Sequence, residues 1–574
     1  MLHDGRAIRV AVVGGSRIPF CRSHSIYRNV TNQDMMTAAL DGLVNKYDLK
    51  GQTMGDVVLG AVIKHSRDFN LARESLLDSG FSPRSPGLDL QRACGTSLEA
   101  CILVANKIAL GQIDCGIGGG VDSVSDAPIV FNDDFRAVLM EMHRARSPLQ
   151  RFLPFFKFRP RHFKPQFPAV SEPRTGLSMG ESMEITAQKW DIPREHHDQL
   201  ALASHMKAAA AYDAGWYEDL VVPFMDCEED NNIRRDTTFE KLSALKPVFD
   251  KSEDGTMTAG NSTPLTDGAA AVLLASEEWA IKKNVPISAY LTFAKASAVN
   301  FVTDEGLLMA PAYAVSDMLR DANLRLQDFD FYEIHEAFAS QTIATLKAWQ
   351  SEKFCRDRLG RNEPMGPIDL SKLNVKGGSI AMGHPFAATG ARIVGTMAKL
   401  LAEDIEDIDE VRAGEAKALK AGGYEPVLKD SRWLLLKRPE NLSEKQEIRL
   451  AKLLQYNLKS VRAYLLKEDF QFFWGYKSWY WAGQFLDRWC KRTMRSRLEP
   501  MKKVARMLRA HRPLILNWFR AKGAISSGIV EGFNNKLKLI TRKSYGFRTQ
   551  KAYETALYHN LGDLPEPEFT HRFF

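Results

Sequence analysis

The sequence predicts an α/β fold with helix-covered sheet over its first four hundred residues, followed by an α-rich segment. Strand-length apolar runs (IRVAVVGG, DVVLGAVI) alternate with helical ones (NQDMMTAALDGLVNKY, SLEACILVANKIALG), the pattern of sheets packed under helices. Charge separates the two parts: residues 1–400 sum to −5 and residues 401–574 to +12, out of +7 for the whole chain. From 451 onward there are 24 Lys and Arg against 9 Asp and Glu, an asymmetry that points to different partners for the two ends.

At 574 residues the chain holds about three or four domains of ~150 residues each. With 45% apolar and 26% charged residues it has the composition of a globular protein, which excludes a disordered chain. The 7 cysteines (Cys21, Cys94, Cys101, Cys115, Cys227, Cys355, Cys490) are scattered and lack CxxC spacing. That favours reduced thiols in a cytoplasmic protein over a disulfide framework or zinc site. MLHDGRAIRVAVVGGSRIPF lacks the layout of a secretion signal, and no run approaches the ~18 apolar residues of a transmembrane segment.

Along the chain, Asn32 stands where it would cap the first helix. Residues 135–171 break the alternation: basic residues interleave with Phe, Leu and Pro, with no acidic residue between Glu141 and Glu172. A cover over the site, a membrane-surface or partner-docking element and a nucleic-acid contact all fit this composition. DIPREHHDQLALASHMKAAAAYDAG reads as a long helix and TMTAGNSTPLTDGAAAVLLAS as loop then buried strand. A second α/β segment starts near Ile287, with LTFAKASAVN, FYEIHEAFASQTIATLKAW and NVKGGSIAMGHPFAATGARIVGTMAKLL.

Three residues carry candidate chemistry. Cys94, in QRACGTSLEACILVANKIAL, opens a helix, where free N–H groups and positive potential lower a thiol pKa and stabilise an oxyanion. A cysteine there also serves as a small buried residue. His384 lies in the glycine-rich turn GGSIAMGHPFAATGAR, whose Gly377, Gly378 and Gly383 let backbone approach a ligand. His335, with Glu336 in EIHEAFAS, lies between strand and helix. Either histidine fits a structural role as well as a functional one. A thiol with histidines from separate segments is the logic of covalent acyl transfer.

Together, ACGTSLEA, GGGVDSVSDAP, TAGNSTPLTDGAA, HEAFA and GGSIAMGHPFAATGAR make residues 7–401 resemble the thiolase family. His335, where many thiolases carry Asn, and the insertion at 135–175 are similar to the fatty-acid-oxidation (trifunctional β-subunit) branch. The resemblance implies a layered αβαβα fold of two similar halves: residues 1–285 and, truncated, 286–402. It implies Cys94 as nucleophile, His384 as the base that takes its proton, and His335 orienting a water or carbonyl. It places Thr263, beside Ser262, on the pantetheine arm of coenzyme A, Gly383 against the ligand and Met179 near the acyl pocket. The implied reaction is thiolysis of a 3-oxoacyl-CoA or its Claisen reverse. Coenzyme A thioesters would be substrates rather than resident cofactors. Implied partners are further copies (homodimer or homotetramer) and a β-oxidation partner subunit.

Thiolases use a second cysteine, in a CxG motif roughly thirty residues after the GHP histidine. Here the corresponding region reads VRAGEAKALKAGG, and no cysteine stands between Cys355 and Cys490. From Glu403 the chain resembles instead the C-terminal part of DDE-type insertion-sequence transposases. SRWLLLKRPENLSEKQ, LKSVRAYLLKEDFQ, RPLILNWFRAKGAISSGIVEGFNNKLKLITRKSYGFRTQ and ALYHNLGDLPEPEFTHRFF carry this likeness. Glu531 matches the third metal-holding carboxylate. The two aspartates are absent, so the site for two Mg²⁺ ions is incomplete. The junction, with 6 carboxylates in the 8 positions 403–410, reads as a scar between two truncated genes. It predicts weak DNA binding through 451–574, where Arg542, Lys543 and Arg548 interleave with Tyr545 and Phe547.

Overall fold

The computed structural model describes residues 8–169 and 171–403, and most positions between 450 and 516. The chain divides into two compact units: residues 1–368 with 372–402, and residues 369–371 with 403–574.

The first unit is built on a mixed sheet. Its strands are β1 (Val10–Arg17), β2 (Cys21–Arg22), β3 (Asp56–Leu59), β4 (Gly87–Asp89), β5 (Cys115–Asp122), β8 (Thr266–Ser276) and β9 (Ala289–Leu291). A separate two-stranded ribbon pairs β6 (Val130–Phe131) with β7 (Pro165–Gln166). The sheet order is β4-β3-β5-β8-β1-β9, and β2 pairs with β8. β3 runs parallel to β4 and β5, whereas β8 is antiparallel to both β5 and β1. β1, β5 and β8 are buried along their whole length, which is why they read as continuous apolar and glycine runs rather than as alternations.

Helices α1 (Asn32–Tyr47), α2 (Leu71–Asp78) and α3 (Thr96–Ala109) follow the first strands. Thr31, not Asn32, caps α1: its hydroxyl accepts from Asp34 N–H and the Asp34 side chain returns to the Thr31 backbone. Asn32 is buried and donates instead to the Ile63 carbonyl. A threonine one residue earlier completes the reciprocal box that Asn32 cannot form, with an acid three places on.

The insertion forms α4 (Asp133–Arg144), α5 (Pro148–Phe152) and two short 3₁₀ turns at Leu153–Lys157 and Pro160–Phe163. Phe135 meets Phe131, Phe158 and Phe163 ring to ring, while Phe152, Phe155 and Phe156 stand exposed. Next come α6 (Met179–Lys189), the long α7 (Arg194–Asp213), α8 (Phe239–Ser243) and α9 (Glu277–Lys283).

The second half supplies α10 (Ala310–Ala322), α11 (Ala339–Gln350), α12 (Glu352–Asp357), α13 (Ser379–Met382) and α14 (Thr389–Glu403). Its own sheet is reduced, among the described residues, to the bridge Tyr332↔Leu373 and to β9 on the edge of the first sheet. The strand-like run after β9 forms no ladder. A strand needs a neighbour for its N–H and C=O groups. Among the described residues the two halves are therefore unequal.

α3 and α14 form the central buried layer. Val104, Ala105 and Ile108 of α3 share one core with Ala391 and Ala398 of α14 and with Val272 and Leu274 of β8. Glycines set the spacing of this layer: a Cβ on Gly118 would lie 2.6 Å from Cys101 N, and one on Gly390 would lie 2.4 Å from Leu98 N.

In the second unit, α15 (Lys459–Gln471), α16 (Trp479–Met494) and α17 (Glu499–Ala510) enclose a core of Leu466, Phe473, Leu486, Trp489 and Met501. Trp489 Nε1 donates to the Leu466 carbonyl at 2.9 Å. Arg512 binds both carboxylate oxygens of Asp487, at 2.7 and 2.6 Å. Glu531, Arg542, Lys543 and Arg548 lie outside the described residues, as does the acid run beyond Glu403.

Candidate active site

Cys94 sits in the turn that feeds α3. Ala93 before it holds φ at 43°, a left-handed conformation unusual for a residue with a Cβ. The Thr96 hydroxyl fastens this turn, donating to the Ala93 carbonyl (2.6 Å) and accepting from Arg92 N–H (2.8 Å). The thiol is held half-buried, beside the first turn of α3.

His384 arrives from the far half of the chain. Gly383 turns at φ 102°, and a Cβ there would strike Asn232 and Thr266, so only glycine fits. His384 Nε2 lies 3.1 Å from Cys94 Sγ, and Nδ1 lies 2.6 Å from Thr389 Oγ1. Thr389 in turn donates to the Pro385 carbonyl at 3.4 Å. In the tautomer with Nδ1–H, Thr389 accepts that proton while donating to Pro385, and the Nε2 lone pair faces the thiol. The loop is anchored at Asp122, which accepts from Ala387 N–H (2.7 Å) and, on its other oxygen, from Val62 and Ile63 N–H (2.9 and 2.7 Å).

His335 completes the cluster, its ring centroid 4.0 Å from that of His384. One ligand atom each from Cys94, His335 and His384 lie within 4.8 Å of one another. Among the described residues this is the one His/Cys/Asp/Glu set close enough to share a metal ion. His335 Nδ1 meets Ser379 Oγ at 2.8 Å, and its buried Nε2 has no hydrogen-bond partner among the described residues.

Burial dominates the electrostatics. It pushes the Cys94 thiol up to about 12, with the negative charge of Asp122 adding to the effect, the reverse of the lowering expected from a helix start. It pushes His384 down to about 3, helped by the Arg392 charge. His335 is held well below its usual range by burial, then by His384 and Arg392. At rest the pair is thus a neutral thiol against a neutral imidazole, ready to move one proton between them.

Thr263 anchors next to this cluster: its N–H and hydroxyl both donate to the Ala337 carbonyl, at 3.1 and 3.0 Å. Ser262 bridges Phe338, and its buried hydroxyl has no partner among the described residues. Ser262 also lines a cavity of about 230 Å³ with Arg22, His205, Asn232, Arg234 and Ile380. Met179 is on the first turn of α6, 38% exposed. The structure therefore joins Cys94, His384 and His335 directly and ties Thr263 and Ser262 to the segment after His335.

Several residues of the quoted stretches have partners that the sequence alone did not assign. Glu336 is fully enclosed, accepting from Ser204 (2.7 Å), Asn374 (2.6 Å) and the Ile380 N–H (3.3 Å), and burial raises its pKa. A Cβ on Gly378 would lie 2.1 Å from that carboxyl group. Arg392, buried in α14, pairs with Glu333 at 3.2 Å. An arginine on the apolar face of a helix, and a glutamate two places before a candidate histidine, were the available signals.

Known proteins resemble this chain in two parts. The family description "Thiolase, N-terminal domain" matches residues 10–278, "Thiolase, C-terminal domain" residues 286–418, and "Transposase" residues 401–557. The 3-ketoacyl-CoA thiolase of Yersinia pestis (strain Pestoides F) is 40% identical over 392 residues, spanning 67% of this chain and 89% of that protein. That of Yersinia pseudotuberculosis serotype O:3 (strain YPIII) matches to the same extent. Among solved structures, the Bacillus anthracis acetyl-CoA acetyltransferase superposes with a TM-score of 0.57 at 28% identity, covering 73% of this chain and 94% of that one. Human mitochondrial 3-ketoacyl-CoA thiolase in complex with CoA gives 0.56 at 29%, covering 69% and 92%. With the dyad geometry and these matches together, the chain belongs to the thiolase family of acyltransferases, its thiolase region running into a transposase segment from about residue 401.

Proposed function

We propose that the thiolase region forms an acyl-enzyme on Cys94 from a 3-oxoacyl-CoA, or from an acyl-CoA in the condensing direction. The observation that carries this is the 3.1 Å contact between His384 Nε2 and Cys94 Sγ, with Nδ1 held by Thr389. In this reading His384 takes the thiol proton as sulfur attacks the 3-oxo carbonyl. The C2–C3 bond breaks, the acyl group stays on sulfur, and acetyl-CoA leaves as an enolate that needs a proton. Coenzyme A thiol then takes the acyl group from Cys94. His335 offers a hydrogen bond to the oxygen that becomes negative. The cavity beside Ser262, with Arg22 and Arg234 on its wall, suits the anionic end of coenzyme A. Coenzyme A thioesters are substrates here, and the reaction so written calls for no resident cofactor.

Full turnover is expected to be impaired. The family's second cysteine would supply the enolate proton, and VRAGEAKALKAGG contains none. Acylation and turnover should therefore separate. Intact-protein mass spectrometry after mixing with a medium-chain 3-oxoacyl-CoA tests this, with Cys94→Ala as control. An acyl adduct lost in Cys94→Ala, with slow multiple turnover, is the expected result. Absence of an adduct on folded protein would refute the reading, and turnover like that of an intact thiolase would refute the impairment.

The transposase match favours a second reading for the other unit: nonspecific DNA binding without strand transfer. Arg488, Lys491 and Arg492 are exposed along α16, and phosphate contacts of this kind weaken steeply with salt. A duplex shift insensitive to salt, or none at all, would remove it.

A further inference from the structure

We propose that Ser379 and Arg392 are positioning residues that set the tautomer of His335, making Nε2–H the hydrogen-bond donor to the reacting oxygen. The inference rests on the acyl-transfer reading above and extends it to residues outside the dyad.

The argument is one of donors and acceptors. Arg392 is buried in α14, its side chain 0% exposed, and its Nη1 pairs with Glu333 Oε2 at 3.2 Å. Its Nη2 lies 3.1 Å from Ser379 Oγ. A guanidinium only donates, so this contact makes the Ser379 oxygen an acceptor. The Ser379 hydroxyl still has one proton to place. Its remaining hydrogen-bond partner among the described residues is His335 Nδ1, at 2.8 Å. Donation there makes Nδ1 the bare nitrogen, and in a neutral imidazole the proton then sits on Nε2. Burial and the Arg392 charge keep the ring neutral.

The consequence is a division of labour between two imidazoles 4.0 Å apart. His384 turns a bare Nε2 toward the thiol, because Thr389 takes its Nδ1–H. His335 carries its proton on Nε2, because Ser379 gives one to Nδ1. One ring is poised as base and the other as donor, and the buried Nε2 of His335 is otherwise unpartnered among the described residues. Glu333 holds the Arg392 fork in place at the far end of the relay. Nothing in this relay needs the missing second cysteine.

The test uses the full chain labelled with ¹⁵N-histidine. Long-range ¹H–¹⁵N correlation distinguishes the two tautomers, and the His335 signals are assigned by their absence in His335→Gln. Wild type should show His335 protonated on Nε2, and Ser379→Ala should populate the Nδ1–H form. The rate of Cys94 acylation should fall about 10–100-fold in Ser379→Ala, somewhat less than loss of an oxyanion donor outright, with the KM for the thioester unchanged. Ser379→Thr, which keeps the hydroxyl, should recover to within a few-fold. Wild-type His335 protonated on Nδ1, or Ser379→Ala acylating at the wild-type rate, would overturn the proposal. If wild type forms no acyl-enzyme, the acyl-transfer reading fails, while the histidine spectrum still decides the relay.

Discussion

Substituting Gly390 by alanine should separate the nucleophile from its base. Gly390 is the second residue of α14, packed against the first turn of α3. An alanine Cβ would lie 2.4 Å from the Leu98 backbone nitrogen, where ordinary contact begins near 3.4 Å. The obstacle is main chain, so no rotamer change relieves it. The two helix starts must part by the difference, about 1 Å. Overpacking of this kind costs about 1–3 kcal/mol, and the alanine's better helix propensity, up to ~1 kcal/mol, offsets part of it. Cys94 precedes α3 and His384 precedes α14, so their 3.1 Å contact should open beyond hydrogen-bond reach. A misplacement of ~1 Å is worth about 100-fold in rate. Chemical denaturation followed by circular dichroism gives the stability, and rapid-quench mass spectrometry of acyl-Cys94 gives the rate. If Gly390→Ala stays within 0.5 kcal/mol of wild type (roughly the scatter of neutral surface changes) and acylates within threefold, the helix contact does not set the dyad distance.

The pH profile of acylation should be flat from about pH 5 to 9. His384 is pushed down to about 3, so its lone pair is available above that value and lost only as pH falls through it. Cys94 is pushed up to about 12, so the thiol stays protonated across the window; a limb near the ordinary histidine value would contradict this. Asp230→Ala should cost about 3–5 kcal/mol. It strands buried Arg17, whose Nη1 and Nη2 bind Asp230 at 2.6 and 2.7 Å, and unfolding titrations indistinguishable from wild type would refute it. In the second unit, Trp489→Ala should destabilise by about 3–5 kcal/mol, because Trp489 is 3% exposed in the core of that unit. A melting transition of residues 450–516 unchanged by the substitution would show that these helices do not depend on that core.

That Cys94 and His384 would meet was legible because both sit in local patterns that covalent acyl transfer requires. A cysteine before a helix and a histidine in a glycine-rich turn announce themselves in one dimension. The glycines of GGSIAMGHP, expected to let backbone approach a ligand, approach protein groups instead: Gly377 faces Ala208, Gly378 the Glu336 carboxyl and Gly383 Thr266. The charge shift and the acid run likewise marked where the transposase match begins. The cap of α1 was misread by one residue, since Asn32 and Thr31 are both good caps and only the reciprocal bond with Asp34 chooses between them.

The Glu333–Arg392–Ser379 relay was not legible. Its members lie in the two stretches already singled out, EIHEAFAS and GGSIAMGHPFAATGAR, but a buried ion pair leaves no periodicity in sequence and nothing in either stretch says which residue meets which. Which strand of the second half would find a partner was decided in three dimensions: among the described residues β9 pairs with β1, and the run after it forms no ladder. Residue types and short spacings dictate what chemistry a segment can carry, because they act within a turn or two. Which nitrogen faces the thiol, how neutral the ring is, and how near two helices come depend on burial and on how the segments pack, and those were settled only when α3 and α14 came together.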